Sequence, residues 1–361
     1  MHVCFLCVEI FAWGKYGGFG RATRAIGREL VLRGAKVSAV VPRRRGQAEQ
    51  EQLDGMTVYG FEPQAPWRAA ELCARCDADI YHSQEPSWGT RLAMQVAGDR
   101  KHVVTFRDPR TLRDWWMELE RPSSSRLQVL ANLVYEDNPL VRRSVRRADA
   151  VFCAAEHLSP KAQRKYRLRN APAFLPTPVE VPERVDKAPT PTVCFNGRWD
   201  RRKRPELFFE LARAFPDVRF IAVGGSRDAA WEARLRGQYG QLANLEMVGF
   251  VDQFATDRLA RILERSWVLV STSTREGLPN TFLEAAAHRC AILSRVDPDG
   301  FASRSGYHAA AEDFEAGLRH LLDADRWRGL GETGHRYVRE RFETGVATRR
   351  HLEAYERVLS S

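Results

Sequence analysis

The chain has 361 residues, 44% hydrophobic and 28% charged, with a formal net charge of +10 and a pI near 9.5. That length exceeds what one hydrophobic core usually serves, so two domains of similar size are expected in a folded soluble protein. The charge favours anionic partners such as nucleotides, phosphorylated substrates, nucleic acid or an acidic membrane face.

No run approaches the eighteen or so apolar residues that a membrane span needs. The start, MHVCFLCVEIFAWGKYGG, has neither a basic region before its short apolar run nor a small-residue cleavage site after it. No signal peptide is read there, and the expectation is a cytoplasmic protein, with peripheral contact at the inner face of the membrane as a further option. Seven cysteines argue against a disulfide framework. Cys4/Cys7 and Cys73/Cys76 have CxxC spacing, but Cys4 and Cys7 lie in an apolar strand whose side chains three apart point to opposite faces. Plain buried thiols are expected, and no metal site.

In chain order, HVCFLCVEI reads as a strand, GFGRATRAIGRELVLRG as a helix ended by Gly34, and KVSAVVP, DADIYHS, HVVTF and ADAVFCAA as further strands. Continuous rather than alternating apolarity indicates a parallel sheet covered on both faces. Residues 1–175 thus form a first Rossmann-like domain. Residues 171–191 are rich in proline and poor in periodicity, which places a linker at 176–191. Strand and helix then alternate again through PTVCFNG, RPELFFELARAF, VRFIAVGG, LEMVGFV, DRLARILERS, WVLVSTST, NTFLEAAAHR and CAILS, giving a second domain over 192–340. An amphipathic helix over 341–361 is free to pack back on the first domain. The fold class is α/β, two doubly wound domains with the cleft between them as the default ligand site.

Several positions in the first domain invite a ligand. Gly17, Gly18 and Gly20 precede a helix, which suits close backbone approach. A GxGxxG fingerprint would need glycine at Thr23, and no P-loop signature is present, so neither a nicotinamide site nor that route to phosphate is expected. His82 ends a strand, where a lone histidine is more often a hydrogen-bonded structural residue. Trp115 and Trp116 suit stacking on a sugar or core packing. The stretch RRSVRR, residues 142–147, reads as a solvated helix face before a lipid-binding one.

In the second domain, five of the seven residues from Arg198 to Arg204 are basic, which alone reads as a solvated face. In REGLPNTFLE, Gly277, Leu278 and Pro279 lead into a helix starting near Asn280 or Thr281, whose free N–H groups suit phosphate. Glu276, at a strand's carboxyl end, and Glu284, about one turn into the helix, suit sugar hydroxyls. Thr281 and Glu284 also fit a capping box, and Glu276 can simply complement the helix dipole. Asp297-Pro298-Asp299 has the Asp-x-Asp form of a metal–nucleotide site but reads as turn chemistry.

EGLPNTFLE after an apolar strand resembles the donor-site motif of retaining glycosyltransferase family 4, with its GT-B fold. NGRWDRRKRPELFFELA resembles that family's Gly-Arg segment with a lysine five residues on, and IAVGGSRD, LEMVGFVDQ and GKYGGFGRATRAIGREL resemble its other loops. The likeness spans nearly the whole chain and is most specific over 192–296. It implies that Glu276 holds sugar hydroxyls, the N–H groups from Leu278 to Thr281 meet the diphosphate or sugar, and Glu284 binds the ribose. Arg198 and Lys203 would neutralise the departing diphosphate. Gly18 would lie on the donor side, with Gly17 and His82 as candidate sugar or acceptor contacts.

The family usually places a histidine after the strand matching HVVTF, whereas this chain has Arg107 and Asp108. An arginine there binds oxygens rather than taking a proton. The implied activity is retaining, metal-independent transfer from a UDP-, GDP- or ADP-linked sugar, as co-substrate and without a cofactor, to a hydroxyl of a glycan, lipid-linked intermediate or small molecule. A non-catalytic nucleotide-sugar binder, epimerisation and phosphorolysis are the alternatives. No basic-aromatic or zinc-finger pattern supports nucleic-acid binding.

Overall fold

The computed structural model describes residues 1–120, 122 and 125–361. They form two compact units: Met1–Trp116 with Leu127–Pro178 and Thr344–Ser361, and Met117–Arg126 with Val179–Glu343.

The strands of the first unit are β1 (His2–Cys7), β2 (Lys36–Pro42), β3 (Gln50–Leu53), β4 (Met56–Phe61), β5 (Ile80–Gln84), β6 (Lys101–Phe106), β7 (Ala150–Cys153) and β8 (Ala173–Phe174). They make one sheet in the order β3-β4-β2-β1-β5-β6-β7-β8, parallel except for β3 against β4. Every residue of β1 and β5 is buried, as expected of strands covered on both faces. Cys4 joins the core on one face and Cys7 the core on the other, and all seven cysteines are buried and free.

Helix Gly18–Leu32 turns Ile26 and Leu30 onto Val3, Phe5 and Val37, and Gly34 at φ +81° follows its end. The terminal helix Thr344–Ser360 belongs to this unit, with Ala354, Tyr355 and Val358 in its core. The β3–β4 hairpin is absent from the sequence reading. QEQL is too polar to register as a strand, and only Asp54-Gly55, both at positive φ, marks the turn.

The second unit contains β9 (Thr192–Asn196), β10 (Arg219–Val223), β11 (Leu245–Gly249), β12 (Val268–Ser271), β13 (Ala291–Ser294) and β14 (Gly306–His308). Its all-parallel sheet runs β11-β10-β9-β12-β13-β14. The expected linker is tied down rather than loose. Val179 N–H donates to the Phe342 carbonyl at 2.8 Å, Ala188 N–H to Arg265 at 3.1 Å, and Trp267 Nε1 to the Ala188 carbonyl at 2.8 Å. Residues 117–126, read as part of the first domain, group with the second unit, where Glu118 pairs with Arg202 at 3.1 Å and Arg275 at 3.4 Å. No helix among the described residues is long and apolar enough to cross a membrane.

Candidate active site

In open α/β sheets, ligands bind outside the carboxyl ends of the strands, where the strand order reverses. In the second unit that point lies between β9 and β12. The loop after β9 carries Arg198 to Arg204, and the loop after β12 carries Glu276. Hydrogen bonds fasten the two loops together. Thr272 Oγ1 lies 2.6 and 2.8 Å from the carbonyls of Lys203 and Arg204, Arg204 Nε donates to the Thr272 carbonyl at 2.8 Å, and Thr274 N–H donates to the Arg202 carbonyl at 3.1 Å.

This lacing sets Lys203 Nζ on Glu276 Oε1 as a hydrogen-bonded ion pair. Burial opposes ionisation of Glu276, but Lys203, then Arg202 and the Ser273 hydroxyl, outweigh it and hold the carboxyl below its ordinary value. It is an anion at neutral pH.

The basic run is not a solvated face. Each of its five cations pairs with a carboxylate: Arg198 with Asp200, Arg201 with Asp228, Arg202 with Glu118, Lys203 with Glu276 and Arg204 with Glu312. Arg204 is also buried. Arg198, 3.2 Å from Asp200 and with 36% of its side chain exposed, is the more accessible of the two cations assigned to the diphosphate.

The helix after the second loop runs Asn280–Ala287 with Pro279 at its cap and no side-chain cap hydrogen bond. The Thr281–Glu284 capping box is therefore not formed. Pro279, with no N–H of its own, starts the helix instead, and Gln253 Nε2, from the loop after β11, donates to Glu284 Oε1 at 3.2 Å. Gly277, Leu278, Asn280 and Thr281 accordingly line the approach to an N-terminal turn without a side-chain cap.

Gly224, after β10, has φ +131°, and a Cβ there would lie 1.8 Å from the Gly197 carbonyl oxygen. Only glycine lets the loops after β9 and β10 close on each other. Trp199 N–H donates to the Gly225 carbonyl at 2.9 Å, and the fully buried indole of Trp199 packs edge-on against Phe209. Asp297 stabilises a turn, accepting from the N–H groups of Ala302 and Ser303 at 2.7 and 3.2 Å.

The first unit departs further from the sequence reading. A Cβ on Gly17 would fall 2.0 Å from Glu9 Oε1, which also accepts the Gly20 N–H at 3.1 Å. The close approach at the start of the helix opened by Gly18 is thus made by the protein's own carboxylate. His82 has no exposed surface and bonds Tyr355 and Thr105 at 2.7 Å each, so it is a structural residue and not an acceptor contact. Arg107 is 6% exposed. Its Nη1 donates to Thr177 Oγ1 at 3.0 Å and Nη2 to Gln84 Oε1 at 2.5 Å, so it braces the sheet edge rather than reaching for a ligand. Burial pushes its pKa down to about 10 against the pull of Glu85, and it stays charged.

Sequence reasoning missed Glu85, whose Oε2 accepts the N–H groups of Arg107 and Asp108 at 2.7 and 2.9 Å and fixes the bend after β6. Its own backbone, at φ +95° in a non-glycine residue, is strained in the turn after β5. Asp108 is buried beside Arg110, 3.7 Å away. Trp115 is buried under the Arg110 guanidinium while Trp116 is 64% exposed. Within residues 142–147, Arg142 pairs with Asp137 at 2.7 Å, and Arg143, Arg146 and Arg147 are exposed.

Two Rossmann-like parallel sheets, the second bearing cations and carboxylates at its switch point, define a GT-B glycosyltransferase. Solved structures with this fold include sucrose-phosphate synthase from Thermosynechococcus elongatus (TM-score 0.72, 14% identity, 99% of each chain covered). Anabaena HepE in complex with UDP-glucose is equally similar (TM-score 0.72, 12% identity, 99% of each chain). The catalytic domain of starch synthase IV from Arabidopsis thaliana, bound to ADP and acarbose, follows (TM-score 0.67, 12% identity, 100% of this chain and 99% of that one). No curated protein matches the chain in sequence.

Residues 16–181 match the model of Glycosyltransferase Family 4 and residues 181–303 that of Glycosyl transferases group 1. The chain belongs to these glycosyltransferases.

Proposed function

We propose that the protein moves a sugar, with retention of configuration, from a nucleoside-diphosphate sugar to a hydroxyl acceptor. The observation that carries this reading is the Lys203–Glu276 pair at the β9/β12 switch point, with Arg198 on the same loop as Lys203 and Glu284 one turn into the adjoining helix. Breaking a glycosyl–phosphate bond develops negative charge on the departing diphosphate and positive charge on the sugar. Preformed cations meet the first and Glu276 holds the sugar's hydroxyls, so these groups bind the transition state more tightly than the ground state.

Arg107 offers no base, and the departing phosphate oxygen takes the proton of the acceptor hydroxyl on the same face of the sugar. No metal is required in this scheme, since Arg198 and Lys203 supply the charge. The reaction belongs in the cytoplasm, where nucleotide sugars are made. The burial of Arg107, with Thr177 and Gln84 taking its two terminal nitrogens, favours one second reading, a non-catalytic nucleotide-sugar binder.

The test is a thermal-shift screen of UDP, GDP, ADP and their sugar conjugates, followed by assay of nucleoside diphosphate release with candidate acceptors in the presence of EDTA. A ligand at a hundred times its Kd stabilises the fold by about 2.7 kcal/mol, which is readily seen. A nucleotide shift with no release under any acceptor, or by water, selects the binder. No shift with any nucleotide refutes both readings.

A further inference from the structure

The first unit holds an open pocket of about 410 Å³ that the donor chemistry does not use, lined by Arg43, Arg44, Arg45, Gln47 and Glu62 among others. It sits at the carboxyl ends of the adjacent strands β2 and β4, the edge of an α/β sheet where ligands bind. Its lining is strongly cationic, with three arginines against the single carboxylate of Glu62, which pairs with Arg43. Arg45 forms no ion pair with any described residue.

The wall is rigid. Gln47 N–H donates to the Arg44 carbonyl at 3.0 Å across a turn with Gly46 at φ +81°, which sets Arg45 at the turn's tip. Gln47 is 5% exposed, and its Oε1 accepts the Arg44 N–H at 3.0 Å. Its Nε2, held under Gly60, is a buried donor with no acceptor. Such a donor carries a desolvation cost that an incoming oxyanion relieves.

The geometry points to a binding site for a phosphoryl group at this pocket, carried by the acceptor of the proposed transfer. A phosphoryl anion matches a lining with three arginines to one carboxylate, and guanidinium forks match phosphate oxygens in pairs. The role as acceptor site rests on the transferase reading, whereas the phosphoryl site stands or falls on its own residues.

The test titrates glucose 1-phosphate by calorimetry at low ionic strength into the wild type, Arg45→Gln, Gln47→Glu and an Arg198→Ala/Lys203→Ala variant that disables the other phosphate-binding loop. Gln47→Glu keeps the acceptor for the Arg44 N–H and replaces only the orphaned donor. Arg143→Gln/Arg146→Gln serves as a control for lost charge on an exposed helix. Saturable binding is expected to persist in the Arg198→Ala/Lys203→Ala variant and the control, and to weaken at least tenfold in Arg45→Gln and Gln47→Glu.

Binding lost with Arg198 and Lys203 but indifferent to Arg45 and Gln47 overturns the site. Phosphatidylcholine vesicles with and without phosphatidic acid form a second arm with the same variants. Binding to vesicles alone assigns the phosphoryl to a lipid headgroup, binding to the sugar phosphate alone assigns it to a soluble acceptor, and saturable binding to neither overturns the proposal. UDP is titrated separately. GDP and ADP are titrated in the same way; failure of all three to bind refutes the transferase reading and leaves the pocket intact, while nucleotide binding without phosphoryl binding does the reverse.

Discussion

Lys203 and Glu276 lie 73 positions apart in the chain, yet their side chains form a direct ion pair because each follows one of the two strands flanking the reversal in strand order. In the proposed transfer, the ammonium that meets the diphosphate is thus held by the carboxylate that meets the sugar. Lys203→Ala is expected to lower kcat by roughly 10²–10³, equivalent to about 2.7–4 kcal/mol of transition-state stabilisation. It also removes the main opponent of burial at Glu276, so the acid limb of the pH–rate profile should move to higher pH. The contribution of the pair to stability is present at neutral pH and fades as pH falls through the lowered Glu276 value. An unchanged acid limb in the variant would separate Glu276 from catalysis.

How much of this was legible in the sequence follows from the range of the contacts. Buried parallel strands announce themselves through continuous apolar runs and Glu276 through its place at a strand's carboxyl end, whereas Arg198 is singled out only by the family resemblance. The surroundings that local sequence leaves open depend on partners far away. Glu9 fills the glycine loop, Thr177 and Gln84 absorb Arg107, and Tyr355, 273 residues on, takes His82. Gln253 meets Glu284 from the loop after β11, 31 positions away. Local spacing records none of these.

Glu284 offers a clean separation of helix capping from ligand binding. With Pro279 at the cap, Glu284→Ala removes no cap hydrogen bond, so the unliganded protein should lose less than the ~1 kcal/mol typical of a lost cap. The stabilisation by whichever of UDP, GDP or ADP shifts the wild type should nevertheless disappear. A large drop in Tm without nucleotide, with the nucleotide shift intact, would return the residue to a structural role.

Gly224→Ala tests the closure of the loops after β9 and β10. The added Cβ meets the Gly197 carbonyl oxygen at 1.8 Å in a backbone conformation that side chains disfavour, and both partners are main chain and cannot step aside. The variant should be destabilised by at least about 2 kcal/mol, within the range of strain at special backbone positions. Urea unfolding measures this, and a midpoint within error of the wild type would show that the loops separate freely.

Acid should loosen the first unit through its buried histidines. His351 donates Nε2–H to the Pro176 carbonyl at 3.0 Å, and its Nδ1 faces Tyr355 Oη, which bonds His82 Nδ1 at 2.7 Å. Burial, only partly offset by the Pro176 carbonyl and reinforced by Arg107, pushes His351 down to about 4 from an ordinary value of 6.5. Burial, then His351 and Arg107, holds His82 well below its ordinary value too. Both rings are neutral in the folded protein while the unfolded chain takes up protons below pH 6.5. Their contribution to stability is therefore complete above that pH and is lost as pH falls towards about 4, on the order of 3 kcal/mol for His351 alone. Urea unfolding at a series of pH values from 7.5 to 4.5 should show this decline, and His351→Asn should flatten it while lowering stability at neutral pH. If the variant and the wild type lose stability in parallel across that window, the decline belongs to other groups and the histidine cluster is protonated without cost.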